Sequence, residues 1–355
     1  MPLDVSPPAE AGDDAAVILS RWSSLAAPAL RAAVETLHPW PARMAAYAFG
    51  WAGRDGRPSG GSPATGGKGL RPALVLLCAG AAGAPADSAL AGAVAVELVH
   101  AFSLVHDDIM DGDERRRHRA SVWRAYGVGP AILTGDALLA LAMATLARVP
   151  GPGAAAAMER LSATLIELVH GQAEDIAFEG RPWTGRDAVT VEEYVAMAEA
   201  KTGALLGCAA AIGCLLGGGP PERAERIAVM GRQLGLAFQM TDDLLGIWGD
   251  PSVTGKPASS DLRRGKKTLP VLAALESGTP AARRLEEVLA APLTGEEELE
   301  LARNLIEDAG GRRRTRERAA ACLRRALHVL HAEGVGGPAA EDLAVLFGLL
   351  LDRAR

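Results

Sequence analysis

The feature that most constrains this sequence is a series of apolar runs with helical spacing, each ended by a short cluster of glycine and proline. Such clusters stand near residues 80, 128, 150 and 217. Alternating β-branched runs, which would predict strands, are almost absent. Aromatic residues make up only 4% of the chain, so its core must consist mainly of Ala, Leu and Val, which favours closely packed helices. The pattern predicts an all-α protein.

The same pattern predicts a single large helical bundle domain. Residues 1–14 are acidic and rich in Pro and Ala, which indicates a disordered tail. No linker divides the remainder, so residues 15–355 are expected to form one domain. Helices are predicted near residues 15–37, 70–80, 87–111, 130–148, 153–178, 191–216, 222–248, 268–276, 281–290, 296–308, 313–333 and 339–353.

Charge and cysteine content narrow the class of protein. The net charge of −6 argues against general binding of nucleic acids. The four cysteines show no CxxC pairing, so neither a disulfide framework nor a cysteine-based zinc site is expected. The N-terminus lacks the basic and apolar regions of a signal peptide, and we expect a cytoplasmic protein.

Two segments suggest other functions, and each has a more ordinary interpretation. Residues 202–221 are uncharged and long enough to span a bilayer, but their glycines and closing prolines favour a buried helix followed by a turn. The basic segment from Gly310 suggests nucleic-acid binding, but its apolar residues share one face, as in an amphipathic surface helix. We therefore expect no membrane span and no nucleic-acid partner.

The first candidate site is an acidic cluster at the end of a predicted helix, in the sequence LVHDDIMDGDERRRHR. Asp107 and Asp111 lie one turn apart on one helix face, and Asp108 is rotated by about 100°. Carboxylates that repel one another at this spacing indicate a cation, and hard oxygen ligands favour Mg²⁺. The arginines that follow suit phosphate. For this segment alone, a solvated acidic helix end followed by a basic loop is the alternative.

A second cluster with the same layout follows about 135 residues later. Asp242 and Asp243 come late in an apolar helix, and the Gly/Pro/Ser loop that follows carries Lys256 and leads to Lys266 and Lys267. Because both clusters combine aspartates with basic groups, we expect them to form opposing walls of a cavity that holds a metal-bound diphosphate.

Three further segments supply groups that suit a diphosphate. Lys68 and Arg71 lie three residues apart where a helix is predicted to begin, so both can meet an anion there. Lys201 and Thr202 place an ammonium group and a hydroxyl beside the uncharged helix. Gln239 lies close to the helix face of the second aspartate pair.

Together these segments resemble the trans-isoprenyl diphosphate synthases, also called polyprenyl synthetases. The matching motifs, in the family's order from residue 66 to residue 267, are GGKGLRP, LVHDDIMD with RRR, GDALL, KTGAL, and FQMTDD with GDPSVTGK and KK. The resemblance implies an all-α isoprenoid synthase fold with a central cavity, usually in a homodimer. It also implies condensation of an allylic diphosphate with isopentenyl diphosphate, using Mg²⁺.

The resemblance implies a role for each matching residue. The metal ligands would be Asp107, Asp111 and Asp242, with Asp108 in support. The allylic diphosphate would be bound by Arg116, Lys201, Lys256 and Lys266, with Thr202 and Gln239 near the reacting carbons. Isopentenyl diphosphate would be bound without metal by Lys68, Arg71, His100 and Arg117. The residues expected to be catalytic are Asp107, Asp108, Asp111, Lys201, Gln239 and Asp242.

The chain departs from the family pattern at two positions. Gly246 stands where the second cluster would have a third aspartate. Either this metal site is weaker, or Asp250 compensates through water, or Asp242 alone suffices. His118 stands where a glycine usually follows the arginine pair.

Product length is predicted from two residues on the helix before Asp107. In the family, the residues four and five positions before the first aspartate form the floor of the chain pocket. Here they are Ser103 and Phe102, and a large residue at the fifth position with a small one at the fourth suggests a C20 product, geranylgeranyl diphosphate. A farnesyl or a longer-chain product is the alternative. Ideal helix geometry puts Phe102 about 140° from Asp107, so its role as the floor depends on the resemblance.

Two alternatives belong to other classes. A class I terpene cyclase also uses an aspartate-rich helix and Mg²⁺, but its usual NDxxSxxxE motif is absent from this sequence. A non-catalytic partner subunit of a synthase would be expected to lack the first aspartate cluster, which is intact here.

Lysine usage supports the synthase interpretation. The chain has 32 arginines and only five lysines. Four of the five match diphosphate-binding positions of the family, which are Lys68, Lys201, Lys256 and Lys266. A compact ammonium group is therefore expected to matter at these positions.

Overall fold

The computed structural model describes residues 11–59, 69–250, 259–334 and 338–353. Within these residues the chain is helical apart from short irregular segments and one two-stranded hairpin. The helices are α1 (Ala11–Glu35), α2 (Pro39–Ala48), α3 (Leu70–Ala81), α4 (Leu90–Met110), α5 (Val122–Tyr126), α6 (Val128–Ala147), α7 (Pro152–Glu179), α8 (Val191–Ala198), α9 (Ala204–Leu216), α10 (Pro221–Trp248), α11 (Ser260–Arg263), α12 (Leu269–Leu275), α13 (Pro280–Leu289), α14 (Glu296–Asp308), α15 (Gly311–Ala332) and α16 (Pro338–Arg353). The hairpin consists of β1 (Arg115–Arg116) and β2 (Arg119–Ala120).

The predicted all-α class is confirmed, and each long predicted helix is present within a few residues of its expected bounds. The first helix begins at Ala11, so residues 11–14 of the predicted tail are helical; residues 1–10 lie outside the described residues. The sequence patterns missed α2, α5, α11 and the hairpin, because segments of 2–10 residues show too few apolar repeats to reveal a period.

One compact unit of the chain contains the first acidic cluster. It comprises the described residues up to 163, together with 206–229 and 329–348. Its most extensive helix contact joins α4 to α6. A buried apolar cluster that includes Met44, Val105 and Val122 packs beside the end of α4. This packing fixes the last turns of α4, where the aspartates stand.

A second compact unit contains the second acidic cluster. It comprises residues 164–205 and 230–328, with the described residues from 349 onward. A buried apolar cluster that includes Ile247, Leu262 and Val271 joins the end of α10 to α11 and α12. The segment after the second aspartate pair is therefore held against the helix that carries the pair. The expectation of one domain over residues 15–355 stays a prediction.

Three helical segments are long and apolar enough to cross a membrane by length and composition alone. They are Asp87–Met110, Val128–Ala147 and Val191–Leu216. Their most apolar windows are 61%, 39% and 72% buried within the protein. The expected absence of a membrane span stays a prediction.

Candidate functional site

The first acidic cluster occupies the C-terminal end of α4. Asp107 lies in the last turn, and Asp111 is the C-cap residue, whose backbone N–H donates to the Asp107 carbonyl over 2.8 Å. Gly112 follows with a φ of 66°, a left-handed conformation that ends the helix. Both carboxylates are half-buried, and they lie on the same face as the sequence predicts.

The middle aspartate, Asp108, has a different environment. Its side chain is 2% exposed and accepts a hydrogen bond from Arg116 Nε over 2.7 Å, with Arg116 Nη2 at 2.6 Å from the same oxygen. Two contacts from one guanidinium to a single charged oxygen restrict the orientation of the guanidinium. Asp108 therefore orients Arg116, and its support of the metal ligands, which the resemblance implied, stays a prediction.

The hairpin that carries Arg116 explains the unusual His118. Arg117 and His118 form the two-residue turn between β1 and β2, with φ values of 50° and 62°. Two consecutive left-handed residues are typical of a type I′ hairpin turn, in which glycine is favoured. The left-handed backbone explains why a glycine is usual at this position, and His118 adopts the same left-handed conformation although it has a side chain.

An acidic residue that the sequence analysis missed, Glu97, lies near two of the arginines expected to bind isopentenyl diphosphate. Glu97, on α4, is 8% exposed, and burial raises its pKa to about 7 against the opposing effect of Arg71 and Arg117. Burial, together with the same two guanidinium groups, holds the pKa of His100 well below its ordinary value, so His100 is neutral near pH 7. The feature of the sequence that could have revealed Glu97 was the presence of a glutamate within the apolar run of α4. Lys68 lies outside the described residues.

The glycine before α3 is required by packing. Gly69 is the N-cap residue of α3 and has a φ of 66°, a left-handed conformation. A Cβ at this position would overlap the Ser23 hydroxyl of α1. The motif GGKGLRP thus places Arg71 in the first turn of α3 by letting the chain pass close to α1.

In the second unit, Lys201 and Lys266 share one carboxylate, which the sequence analysis also missed. The Lys201 Nζ lies 2.6 Å from the Asp175 Oδ2, and the Lys266 Nζ lies 3.7 Å from the same oxygen. Asp175 is 7% exposed; burial raises its pKa, but the two ammonium groups outweigh burial and hold the pKa below its ordinary value. Asp175 belongs to the sequence GQAED on α7. Nothing in this sequence except the carboxylate itself could have indicated that Asp175 binds the two lysines.

A π-helical segment, Glu199–Gly203, places Lys201 and Thr202 between α8 and α9. Single turns of π-helix inside longer helices occur frequently at functional sites. Gly171 of α7 packs against this turn so closely that a Cβ there would overlap the backbone of Lys201. The sequence analysis predicted one continuous helix here, since the extra residue in the turn leaves no mark in the apolar pattern.

A chain of hydrogen bonds fixes Gln239 on α10. The Thr202 hydroxyl donates to the Gln239 Oε1 over 2.8 Å, and the Gln239 Nε2 donates to the Asp243 Oδ1 over 3.1 Å. Asp243 also accepts from the Tyr194 hydroxyl and from the Leu269 N–H. Asp243 is 3% exposed, and burial raises its pKa to about 6 despite these hydrogen bonds. Thr202 and Gln239 are thus brought together as predicted.

The missing third aspartate of the second cluster has a structural counterpart. Gly246 lies one turn after Asp242 on the same face of α10, and a Cβ at Gly246 would overlap the carboxylate of Asp261. Asp261, on α11, is half-buried and therefore places a carboxylate beside the face that carries the exposed Asp242. Asp250 lies two residues beyond the end of α10, and its compensation through water, one of the three alternatives above, stays a prediction.

Of the two remaining lysines near the second cluster, one is described by the structure. Lys256 lies outside the described residues. Lys267 is 5% exposed, and its Nζ lies 3.9 Å from the centroid of the Trp183 ring. This ammonium group is used in a buried cation–π contact, so the adjacent Lys266 remains the candidate for the diphosphate.

The donor set fits Mg²⁺ only if other ligands complete the coordination. Among the described residues, no group of three His, Cys, Asp or Glu side chains is gathered as a metal site. Asp107 and Asp111 nevertheless present two carboxylates one turn apart. Mg²⁺ is usually held by one or two carboxylates, with water and substrate phosphates completing the octahedron. The residues present fit that pattern.

The two residues expected to set product length lie two turns from the end of α4. Phe102 is 9% exposed, and its ring packs edge-on against His106. Ser103 is half-buried, and its hydroxyl donates to the His100 carbonyl over 2.9 Å. The two side chains therefore leave α4 on different sides, as the helix geometry predicted.

Comparisons with known proteins give a consistent result. Residues 61–306 match the family model described as polyprenyl synthetase. Over 340 residues the chain is 42% identical to a (2E,6E)-farnesyl diphosphate synthase of Mycobacterium tuberculosis, covering 95% of this chain and 92% of that protein. Over 308 residues it is 43% identical to a geranylgeranyl diphosphate synthase of the same organism, covering 86% and 85% respectively.

The backbone is similar to that of solved structures. The crystal structure of a polyprenyl synthetase from Streptomyces coelicolor superposes with a TM-score of 0.87 and 46% sequence identity. The match covers 94% of this chain and 99% of that one.

Proposed function

This chain belongs to the polyprenyl synthetase family and is a prenyltransferase of isoprenoid biosynthesis, and we propose that its product is geranylgeranyl diphosphate. The observation that carries this proposal is the pair Phe102 and Ser103 before Asp107, in which the larger side chain is buried on α4. The relatives named above include a farnesyl and a geranylgeranyl diphosphate synthase. Their names do not decide the product length, so we infer it from the residues of this chain. A farnesyl product is the second candidate.

The proposed reaction joins an allylic diphosphate to isopentenyl diphosphate. When bound through Asp107 and Asp111, Mg²⁺ supplies positive charge for the leaving diphosphate. Arg116, oriented by Asp108, and Lys201 bind that diphosphate, and positive charge placed where negative charge develops lowers the barrier to ionisation. The double bond of isopentenyl diphosphate then attacks the allylic cation, and a proton is lost to the released diphosphate.

The remaining residues have binding and orienting roles in this proposal. Arg71, Arg117 and the neutral His100 bind isopentenyl diphosphate, and the ionised form of Glu97 offsets part of the charge of the two arginines. Thr202 and Gln239, locked by Asp243, hold polar atoms at fixed positions beside the reacting carbons. Asp242, with Asp261 beside it, contributes the metal-binding carboxylates of the second cluster.

We also propose a homodimer, in agreement with the resemblance. Three apolar side chains of α6 are between 43% and 47% exposed, which are Val128, Ile132 and Leu133. On α7, Ile166 and Val169 are 62% and 56% exposed. Contacts with a second copy would remove these side chains from water. The cytoplasmic location stays a prediction.

Product analysis tests the proposed length. Purified protein is supplied with Mg²⁺, isopentenyl diphosphate and each allylic starter, and the products are separated by chromatography after removal of phosphate. The C20 alcohol is expected from the wild-type protein, and longer products from Phe102→Ala, because a smaller side chain deepens the pocket. A C15 product from the wild type would support the farnesyl candidate. An unchanged product from Phe102→Ala would place the floor elsewhere.

The same assay tests the reaction class. Omission of isopentenyl diphosphate is expected to abolish product formation. Release of diphosphate and a hydrocarbon without isopentenyl diphosphate would instead indicate a terpene cyclase.

A further inference from the structure

His106, which directly precedes the first aspartate pair, connects α4 to α6 and has no role in the reaction described above. Its Nε2 lies 3.1 Å from the Ile132 carbonyl and 3.8 Å from a carboxylate oxygen of Asp136, both on α6. Its ring packs edge-on against Phe102, one turn earlier on α4, with centroids 5.0 Å apart and an interplanar angle of 73°. The imidazole is therefore held by α6 at one end and contacts Phe102 at the other.

The close approach of His106 to α6 depends on Gly135. A Cβ at this buried position would overlap the His106 ring, at its Nε2 and Cδ2 atoms. A backbone without a side chain is thus required where the ring lies against α6, at the point of the most extensive helix contact in this unit. This requirement accounts for the glycine of the sequence GDALL.

We propose that His106, seated on Gly135, is a positioning residue that fixes the Phe102 ring and thereby determines product length. The inference rests on the proposed function, in which Phe102 forms the floor of the chain pocket. An edge-to-face aromatic pair prefers one relative geometry, so an anchored imidazole restricts the neighbouring phenyl ring. Without the imidazole, Phe102 can rotate into the space against α6 and vacate the position that stops chain growth.

The primary test is His106→Ala, assayed by product distribution. We expect the ratio of longer products to the wild-type product to rise roughly 2- to 12-fold, the range that corresponds to one lost edge-to-face contact. The first condensation with the five-carbon allylic starter is measured in parallel, because that product is too short to meet the floor. A change in length distribution that exceeds the change in this first rate identifies an effect on the floor.

A second variant perturbs His106 from the other helix. Gly135→Ala places a methyl group where the imidazole now lies, and we expect the same shift toward longer products. The matched control is Gly129→Ala, on the same helix, where an added Cβ meets nothing within 4 Å. Thermal unfolding of each variant shows whether it is folded at the assay temperature, and Gly129→Ala is expected to keep the wild-type distribution.

The double variant Phe102→Ala/His106→Ala separates this inference from the proposed function. If His106 acts through Phe102, the double variant has the product distribution of Phe102→Ala alone. A further lengthening in the double variant, or wild-type products from both His106→Ala and Gly135→Ala when Phe102→Ala does lengthen, would overturn the inference and leave the proposed function standing. Wild-type products from Phe102→Ala would overturn the floor itself, and the inference with it.

Discussion

The two acidic clusters share the pair Asp-Asp near the end of a long helix, but they neutralise the buried member of the pair differently. In the first cluster, Asp108 is buried against the charged guanidinium of Arg116. In the second, Asp243 is buried among neutral donors, including the Tyr194 hydroxyl and the Leu269 N–H. The lysines Lys201 and Lys266 are paired instead with a third carboxylate, Asp175 of α7.

The comparison indicates that the two aspartates of one motif can differ in role. One carboxylate is available to a metal ion or a substrate, and the other is buried and holds neighbouring side chains in place. Successive residues on a helix are separated by about 100°, so only one aspartate of each pair can face the substrate while the other faces the interior. In the first cluster the buried aspartate orients Arg116, the arginine that we propose binds the allylic diphosphate. In the second it orients Gln239, and the lysines receive a separate carboxylate. Substitutions that exchange or remove these groups would break or sharpen the contrast.

The largest effect is expected from the carboxylates that we propose bind the metal. Asp107→Asn should lower kcat/KM on the order of 10³-fold, the upper end for loss of one transition-state-stabilising group. Asp242→Asn should lower it less, because Asp261 stands beside the same face of α10. Both are measured together with the Mg²⁺ concentration at half-maximal rate, and the exposed Asp87→Asn serves as the control. Equal losses in the two variants would show that the clusters contribute equally.

An intermediate effect is expected where a lysine is replaced by arginine. Lys201→Arg should lower kcat about tenfold or more, because a planar fork cannot replace a point charge held at 2.6 Å from Asp175. Lys266→Arg, whose ammonium lies at 3.7 Å, is the matched comparison and should lose less. Steady-state rates at saturating substrate concentrations give kcat for each variant and for the wild-type protein. Wild-type rates in both variants would show that the scarcity of lysine is only compositional.

The smallest effect is expected at Gly246, where the second cluster departs from the family pattern. Gly246→Ala should lower the free energy of unfolding by about 1–3 kcal/mol, because the new methyl group forces Asp261 out of place. Denaturant unfolding measures the change. The control is Gly348→Ala on α16, where the added Cβ meets nothing within 4 Å. This variant should be no less stable than the wild-type protein.

A double variant checks the cause assigned to Gly246. Gly246→Ala/Asp261→Ala should recover much of the lost stability, because the smaller side chain at 261 leaves room for the methyl group. Failure of the double variant to recover would mean that Asp261 is not the group displaced.

Much of the site was predictable because helical motifs keep their residues in order and in phase. Asp107, Asp108 and Asp111 come from one helix, and their relative placement follows from helix geometry, whereas the placement of Arg116 depends on a hairpin that the sequence patterns missed. The resemblance placed Thr202 and Gln239 in one region, and the structure joins them by a hydrogen bond. Asp175, Glu97 and Asp261 were missed because each is a single acidic residue that matches no motif and acquires its role through a neighbour distant in sequence.

Local sequence by itself determined the helical class, the bounds of the long helices and the face on which each aspartate stands, because these depend on a period of 3.6 residues and on nearby glycine and proline. Only the tertiary structure decided which carboxylate meets which cation. It placed Asp175 between two lysines, filled the space beside Gly246 with Asp261, and seated His106 on Gly135. Such contacts join helices whose residues are far apart along the chain, and burial then sets the charge state and orientation of each group.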